Sequence, residues 1–254
     1  MGETLITGSH GFLGSRLYDH LVSMEKEVIR GERNGYLPKD VDLVVACQSF
    51  GNMYNQTDPE EIWFANVTAL ENLLGESARY NKLIYCSSTS VLLKQQTDYS
   101  LAKAKGERLC ELNPKAIAIR PSSITGVGEQ KEHLIPKLID SCLNGTEIPF
   151  VGEPTHDFIN VMDVISAIGL LNLINKSTTN AFNVSSGITT SNEEVLRLVE
   201  EITGNKANIK RVGALRSYDT KDWKVDNSDM RELGWTPQIL LEDSIKQMVE
   251  AYDK

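Results

Sequence analysis

Sulfur, aromatic rings and positive charge are all scarce in this 254-residue chain. Its four cysteines, Cys47, Cys86, Cys110 and Cys142, are scattered without a C-x-x-C pair. That spacing argues against a disulfide framework and a zinc site, and predicts reduced thiols and no metal. No apolar run approaches the ~18 residues that crossing a bilayer requires. The first strand begins within four residues of Met1, so no signal peptide is expected and the chain reads as cytoplasmic. Basic residues number 26 against 35 acidic ones, a formal net charge of -9. Such a field repels a phosphate backbone, so no nucleic-acid partner is expected. Repeats, linkers and low-complexity tracts are missing too. What remains is an ordinary globular composition, 41% hydrophobic and 24% charged, long enough for one core plus a small lobe.

Strands and helices alternate through the first half. Thr4–Thr7 reads as a strand running into a glycine turn, and Phe12 to about Met24 has helical spacing at Leu13, Leu17 and Leu21. Strands follow at Glu27–Arg30 and Asp42–Cys47, the latter a continuous apolar run of the kind buried in parallel sheets. One long helix is predicted from Pro59 to Tyr80, then a strand at Lys82–Cys86, a helix at Tyr99–Glu111 and a strand at Ala116–Ile119. This order predicts a doubly wound parallel α/β sheet of Rossmann type. Beyond Gly126 the rhythm loosens. Helices are expected near Leu134–Leu143 and Val164–Leu173, with strands at Ile148–Val151, Phe158–Val161 and Ala181–Val184. Ser191-x-x-Glu194 is a capping box opening a helix to about Thr203, and a last amphipathic helix spans Leu241–Tyr252. The irregular C-terminal part predicts a small α/β lobe that binds substrate.

Gly8, Gly11 and Gly14 stand three residues apart between the first strand and the first helix. The first allows a tight turn, the second lets backbone approach a pyrophosphate, and the third allows close helix packing. Amides near Phe12 and Leu13 would then face the anion from a helix N-terminus. Glu32, just past the second strand, suits a ribose hydroxyl and so favours NAD. Its neighbours Arg30 and Arg33 suit the extra phosphate of NADP. NAD leads, and NADP stays open.

Tyr99 and Lys103 lie at i and i+4, on one helix face. An ammonium about 4 Å from a phenol is worth on the order of 4 kcal/mol at an effective dielectric of 20, which predicts a lowered phenol pKa. Y-x-x-x-K alone also fits a surface pair. The serine cluster eleven residues before Tyr99, at a strand's C-terminal end, sharpens it. Ser88 there can hold the oxygen that Tyr99 protonates, with Thr89 as backup. Phenol, ammonium and hydroxyl beside a dinucleotide turn suit hydride transfer at a carbinol carbon.

With these motifs the chain resembles the extended short-chain dehydrogenase/reductase superfamily, in its NAD-dependent epimerase/dehydratase branch. The likeness runs through T-G-x-x-G-x-x-G at Thr7–Gly14, Asn66-Val67, Cys86–Val91, Tyr99 with Lys103, and Arg120-Pro121. It continues at Asp157-Phe158-Ile159, Phe182-Asn183-Val184, Arg211-x-Gly213 and Leu233-Gly234-Trp235-x-Pro237. The resemblance implies a Rossmann domain of 1–125 plus about 157–184, and a substrate lobe of about 126–156 plus 185–254. It implies Tyr99 as general acid/base, Lys103 on the nicotinamide ribose, and Ser88 on the reacting oxygen. Cys47, Gln48 and Ser49 would line the cofactor, with Pro121 and Ser122 near the nicotinamide. Ser88, Thr89, Ser123, His133, His156 and Arg211 would contact a nucleotide-sugar substrate. A homodimer through the helices near 59–80 and 99–111 is implied as well.

Several departures carry information. The stretch between the second strand and Asp42 is too short for a helix and third strand, which predicts a truncated sheet edge. The Ser88–Tyr99 segment is short, suggesting a more open substrate mouth. Thr89 and Ser90 stand where dehydratases of the branch carry two acids, which argues against dehydration. His156 stands where an arginine often grips the diphosphate, and Arg211 or Arg216 could compensate. The expected activity is epimerisation at C4 of a nucleotide-linked hexose. A 4-ketosugar reductase is the alternative, and a dinucleotide-sensing regulator without turnover the second.

Overall fold

A computed structural model describes residues 2–174, 181–213, 220–221 and 223–252. The chain divides into two compact units, Met1–Pro121 with Ile165–Val184, and Ser122–Val164 with Ser185–Lys254.

The first unit opens with β1 (Thr4–Thr7), the glycine turn and α1 (Phe12–Ser23). β2 (Val28–Arg30) and β3 (Leu43–Ala46) follow. Next come α2 (Pro59–Trp63), a π-helical turn (Phe64–Thr68) and α3 (Ala69–Gly75). β4 (Lys82–Cys86), α4 (Asp98–Glu111) and β5 (Ala116–Pro121) complete the run. The six-stranded sheet has the order β2-β1-β3-β4-β5-β9, with β9 at Ala181–Val184, and its pairings are parallel. It is the doubly wound Rossmann-type sheet that the alternation predicts. Among the described residues β2 is the edge strand on that side, as the short stretch before Asp42 predicts.

β1 and β3 are buried along their whole length, which explains their unbroken apolar character. On one face, Leu5, Val44, Ala46, Leu83 and Tyr85 pack with Leu70 and Leu73 of α3. Each fully buried leucine there contributes roughly 2 kcal/mol. Strand order reverses at β1: the chain leaves it for β2 on one side and returns to β3 on the other. Such a reversal opens a crevice at the carboxyl ends of the two central strands, where ligands of open α/β sheets bind. The glycine turn and Cys47–Ser49 stand at those two ends.

The single helix expected over 59–80 is instead α2, a π-helical turn and α3, closed by a 3₁₀ turn at Ser77–Arg79. Asp58 caps it by accepting from the Glu60 and Glu61 amides. Within the wide turn, Asn66 Nδ2 donates to the carbonyls of Ile62 (2.8 Å) and Phe50 (2.7 Å). Tyr85 Oη donates to Asn66 O (3.1 Å). The Ile62 and Asn66 carbonyls are thus satisfied by side chains where α-helical amides would otherwise bond them, and periodicity carries no sign of that exchange.

The second unit holds β6 (Ser123–Thr125), α5 (Leu134–Asn144), β7 (Ile148–Phe150) and β8 (Thr155–Asn160). α6 (Val161–Leu173) begins three residues earlier than its periodicity suggests. Beyond β9 come β10 (Thr189–Ser191), α7 (Asn192–Thr203), β11 (Ile209–Arg211), α8 (Ser228–Glu232) and α9 (Leu241–Glu250). The capping box forms as read, Ser191 accepting from the Glu194 amide while the Glu194 side chain accepts in return. β8 is the middle strand of β10-β8-β6, and β11 pairs with β7. The core of this unit joins Ile135, Leu138 and Ile139 to Phe150, Val195, Val199 and Ile245.

Candidate active site

Gly8 sits at a φ of +64°, in the left-handed region that favours glycine, and a Cβ there would lie 2.5 Å from the Gln48 amide nitrogen. A Cβ on Gly14 would lie 2.3 Å from Gly8 O, so α1 starts hard against the turn only because that position is bare. Gly11 is the N-cap of α1, with no side-chain cap and no acid in the first turn. The helix therefore presents uncapped amides with a partial positive charge. Around this turn, Thr7 Oγ1, Ser9 Oγ and both amide atoms of Gln48 are buried without hydrogen-bond partners. Orphaned buried polar groups cost about 1–3 kcal/mol each until something satisfies them. A bare turn, uncapped amides and unsatisfied polar atoms fit the pyrophosphate and ribose of a dinucleotide.

At the rim, Arg30 stacks on Tyr18, its guanidinium 3.7 Å from the ring centroid, and donates to Ser9 O (2.8 Å). The Glu32 carboxylate accepts from Asn34 Nδ2 (3.0 Å). Arg33 is paired with Glu61 and lies over Phe64. Of the two arginines, Arg30 is therefore the one fastened to the turn.

α4 begins with a reciprocal cap between Thr97 and Ser100, which puts Tyr99 in its first turn. Lys103 and Glu107 follow at successive turns of the same face. Gly106 lets the helix close on β4: a Cβ there would lie 2.5 Å from Tyr85 Oη. Lys103 is 1% exposed, and its Nζ donates to Cys86 O (2.7 Å). Nζ stands 4.9 Å from the Tyr85 ring centroid and 5.8 Å from that of Tyr99. Burial pulls the Lys103 pKa down to about 8.

The Tyr99 phenol departs from the simple expectation. Burial pushes its pKa up, and the groups that pull it back are hydrogen bonds with Ser49 and Ser88. The lysine is committed to a backbone carbonyl, so the serines do the work that spacing alone assigns to the cation. Ser88 Oγ also accepts from Ser90 N (3.1 Å), fixing the 3₁₀ turn at Thr89–Leu92. Thr89 is buried at 5% exposure. Cys47 and Cys86 touch, Sγ to Sγ 3.5 Å. Tyr99, Ser88 and Ser49 are thus brought together, with Lys103, Cys47 and Cys86 beside them.

Two buried networks escape sequence reading. Glu107 accepts from Ser87 Oγ (2.5 Å) and takes a two-pronged ion pair from Arg120 (2.9 and 2.6 Å). It ties α4 to the ends of β4 and β5, directly behind Lys103. The i+8 spacing from Tyr99 is the signal that could have found it. In the second unit, Asp157 accepts from Ser122 Oγ (2.8 Å), Ser186 N (2.8 Å), Ser186 Oγ (3.0 Å) and Gly187 N (2.8 Å). Burial still pushes its carboxyl up.

Ser122 is therefore committed to Asp157, while Pro121 ends β5. Ser123 pairs with Phe158 across β6 and β8. His133 is the N-cap of α5, with Nδ1 3.0 Å from Glu129. His156 packs against Phe158, ring centroids 5.6 Å apart. Arg211 meets Glu193 through both guanidinium nitrogens (2.8 and 2.9 Å). Arg216 lies outside the described residues. Among the described residues no metal-holding cluster occurs, and no helix is long and apolar enough to cross a membrane.

Comparison with known proteins adds the lineage. GDP-L-fucose synthase 1 of Arabidopsis thaliana is 24% identical, covering 85% of this chain and 78% of that protein. The dTDP-4-dehydro-6-deoxyglucose reductase of Escherichia coli is 25% identical, over 74% of this chain and 66% of that protein. Among solved structures, the Thermotoga maritima UDP-glucose 4-epimerase with UDP-glucose superposes with a TM-score of 0.85. It is 20% identical and covers 99% of this chain and 98% of its own. Residues 35–185, more than half of the chain, match the family described as NAD dependent epimerase/dehydratase. The chain belongs to the NAD dependent epimerase/dehydratase family, enzymes of the extended short-chain dehydrogenase type.

Proposed function

We propose that this enzyme moves a hydride reversibly at C4 of a nucleotide-linked hexose and acts as an epimerase. The observation that carries the reading is Tyr99, half-buried, with Ser49 and Ser88 beside its phenol and Lys103 Nζ 5.8 Å from its ring centroid. NAD, bound at the glycine turn, supplies the hydride acceptor. Gly8, Gly11 and Gly14 make room for its pyrophosphate, the amides of Phe12 and Leu13 face that anion, and Ser9 and Gln48 offer their unsatisfied polar atoms.

Tyr99 Oη would take the proton from the C4 hydroxyl as hydride passes to the cofactor, and would return it to that same oxygen once the ketone has turned and hydride comes back to the opposite face of C4. Ser88 Oγ holds that oxygen in place. Lys103 keeps a positive charge beside the phenolate while Cys86 O fixes its position. Glu32 contacts the adenosine ribose, with Arg33 nearby, and Cys47, Ser49, Pro121 and Ser122 line the rest of the cofactor. Thr89, Ser123, His133, His156 and Arg211 contact the sugar and its diphosphate. Two copies pair through α2–α3 and α4, whose exposed Trp63 and Leu101 are apolar. The reductase relative supports a second reading, delivery of a hydride from NAD(P)H to a 4-ketosugar.

Incubation of the purified protein with UDP-glucose, read by sugar chromatography, separates the two. Galactose appearing without added cofactor, and NAD released on denaturation, support the epimerase. Consumption of reduced cofactor only with a ketosugar supports the reductase. A protein inert toward both kinds of substrate contradicts the proposal. In either case Tyr99→Phe lowers kcat by about 10²–10⁴-fold.

A further inference from the structure

Of the four free thiols, none of which takes part in a step above, Cys47 and Cys86 are the pair in contact. Cys47 directly follows β3 and Cys86 ends β4, so the two lie one position past Ala46 and Tyr85, the last pair of the β3–β4 ladder. Their sulfurs stand 3.5 Å apart as free thiols. Adjacent strands run roughly 4.8 Å apart, inside the Cα separations that disulfides span, so closing an S–S bond needs about 1.5 Å of sulfur movement. Cys47 is partly exposed and Cys86 is buried at 6%. An oxidant therefore meets Cys47 first, with Cys86 waiting within contact distance.

We propose that Cys47 and Cys86 form an oxidisable dithiol at the switch point of the sheet, which low-molecular-weight disulfides convert to an internal disulfide that shuts the site down. The Cys47 thiolate attacks the small disulfide, forming a mixed disulfide and releasing one thiol. The Cys86 thiolate then attacks Cys47 Sγ and releases the second. The protein loses two electrons, the small disulfide gains them, and both thiol protons leave with the released thiols. The contact with Cys86 and burial push the Cys47 thiol up while Lys103 pulls it down, so the thiol is protonated at neutral pH and its exchange with a small disulfide quickens as pH rises.

The consequence for the site follows from two anchors. The carbonyl of Cys86 is what holds Lys103 Nζ (2.7 Å). Cys47 lies two residues before Ser49, which stands beside the Tyr99 phenol and pulls its pKa down. Drawing the sulfurs together pulls on both. Cys110, in the core of the first unit, and Cys142, in the core of the second, serve as internal controls.

The test incubates the full-length protein with excess oxidised glutathione, then counts free thiols after denaturation and maps peptides by mass spectrometry. Free thiols should fall from four to two, with one cross-linked peptide pair joining Cys47 to Cys86, reversed by dithiothreitol. Cys86→Ser should stop at a glutathione adduct on Cys47, whereas Cys110→Ser and Cys142→Ser should still form the bridge. Four surviving thiols, a bridge elsewhere, or adducts without a bridge in the unmodified sequence would overturn the proposal. Shutdown rests on the proposed reaction and is read separately: turnover should drop about a hundredfold on bridging and return on reduction. A bridged protein of undiminished turnover would overturn the coupling. The thiol count needs no substrate, so the reaction and the dithiol can fail independently.

Discussion

Lys103 carries a cation into a place where one backbone carbonyl is its recorded hydrogen-bond partner. Its pKa falls from 10.5 to about 8 on burial, a differential of about 3 kcal/mol. Below about pH 8 the lysine is charged both folded and unfolded, and the folded state bears the full burial penalty. Between about 8 and 10.5 the unfolded chain binds more protons, so stability should rise with pH across that window and level off above it. Lys103→Met should therefore raise Tm by a few degrees at neutral pH while removing activity, checked by calorimetry and turnover. A lower Tm would mean that the bond to Cys86 outweighs burial. Ser49 and Ser88 belong to the same scale. Each pulls the phenol pKa down, so Ser88→Ala should move the ascending limb of the pH–rate profile, on which Tyr99 ionises, to higher pH as well as lowering kcat. An unmoved limb would place Ser88 outside the proton's path.

Among the elements, α4 is the one whose extent and site-facing residues sequence reading captured together. Tyr99 and Lys103 share its face because they are one turn apart, and the cap at Thr97 fixes where that face begins. Its fit to β4 was less visible, since Gly106 reads as a helix weakener until Tyr85 is seen lying against it. Gly106→Ala should cost about 1–3 kcal/mol through overpacking, measured by denaturant unfolding. An unchanged midpoint would mean that the Tyr85 ring shifts freely. The broken course of α2 and α3 was not legible, because Asn66 and Tyr85 replace helical partners through tertiary contacts that apolar spacing cannot encode. β10 and β11 were missed for a related reason. They are three residues long and owe their conformation to partners at 155–157 and 148–150. Direction of the phenol's pKa shift was misjudged because spacing gave the distance along the helix but not the carbonyl that claims the ammonium.

At the scale of the whole molecule, the alternation of strands and helices fixed the sheet's type. The short stretch before Asp42 announced the missing edge strand, because a helix and a strand need more residues than it holds. The glycine turn was equally readable, since three bare positions at that spacing serve close backbone approach. Pairing of two copies through α2–α3 and α4 is tested by sedimentation: a dimer in the native chain and a monomer in Leu101→Glu support it. A monomeric native chain contradicts it.

The central claim is that the Tyr99 phenol moves the proton while NAD takes the hydride. Rapid mixing of the NAD-loaded protein with UDP-glucose, followed by the near-ultraviolet absorbance of reduced nicotinamide, tests it most directly. The native chain should show that absorbance within a single turnover, and Tyr99→Phe, loaded with as much NAD, should show almost none. Equal signals from both would contradict the claim.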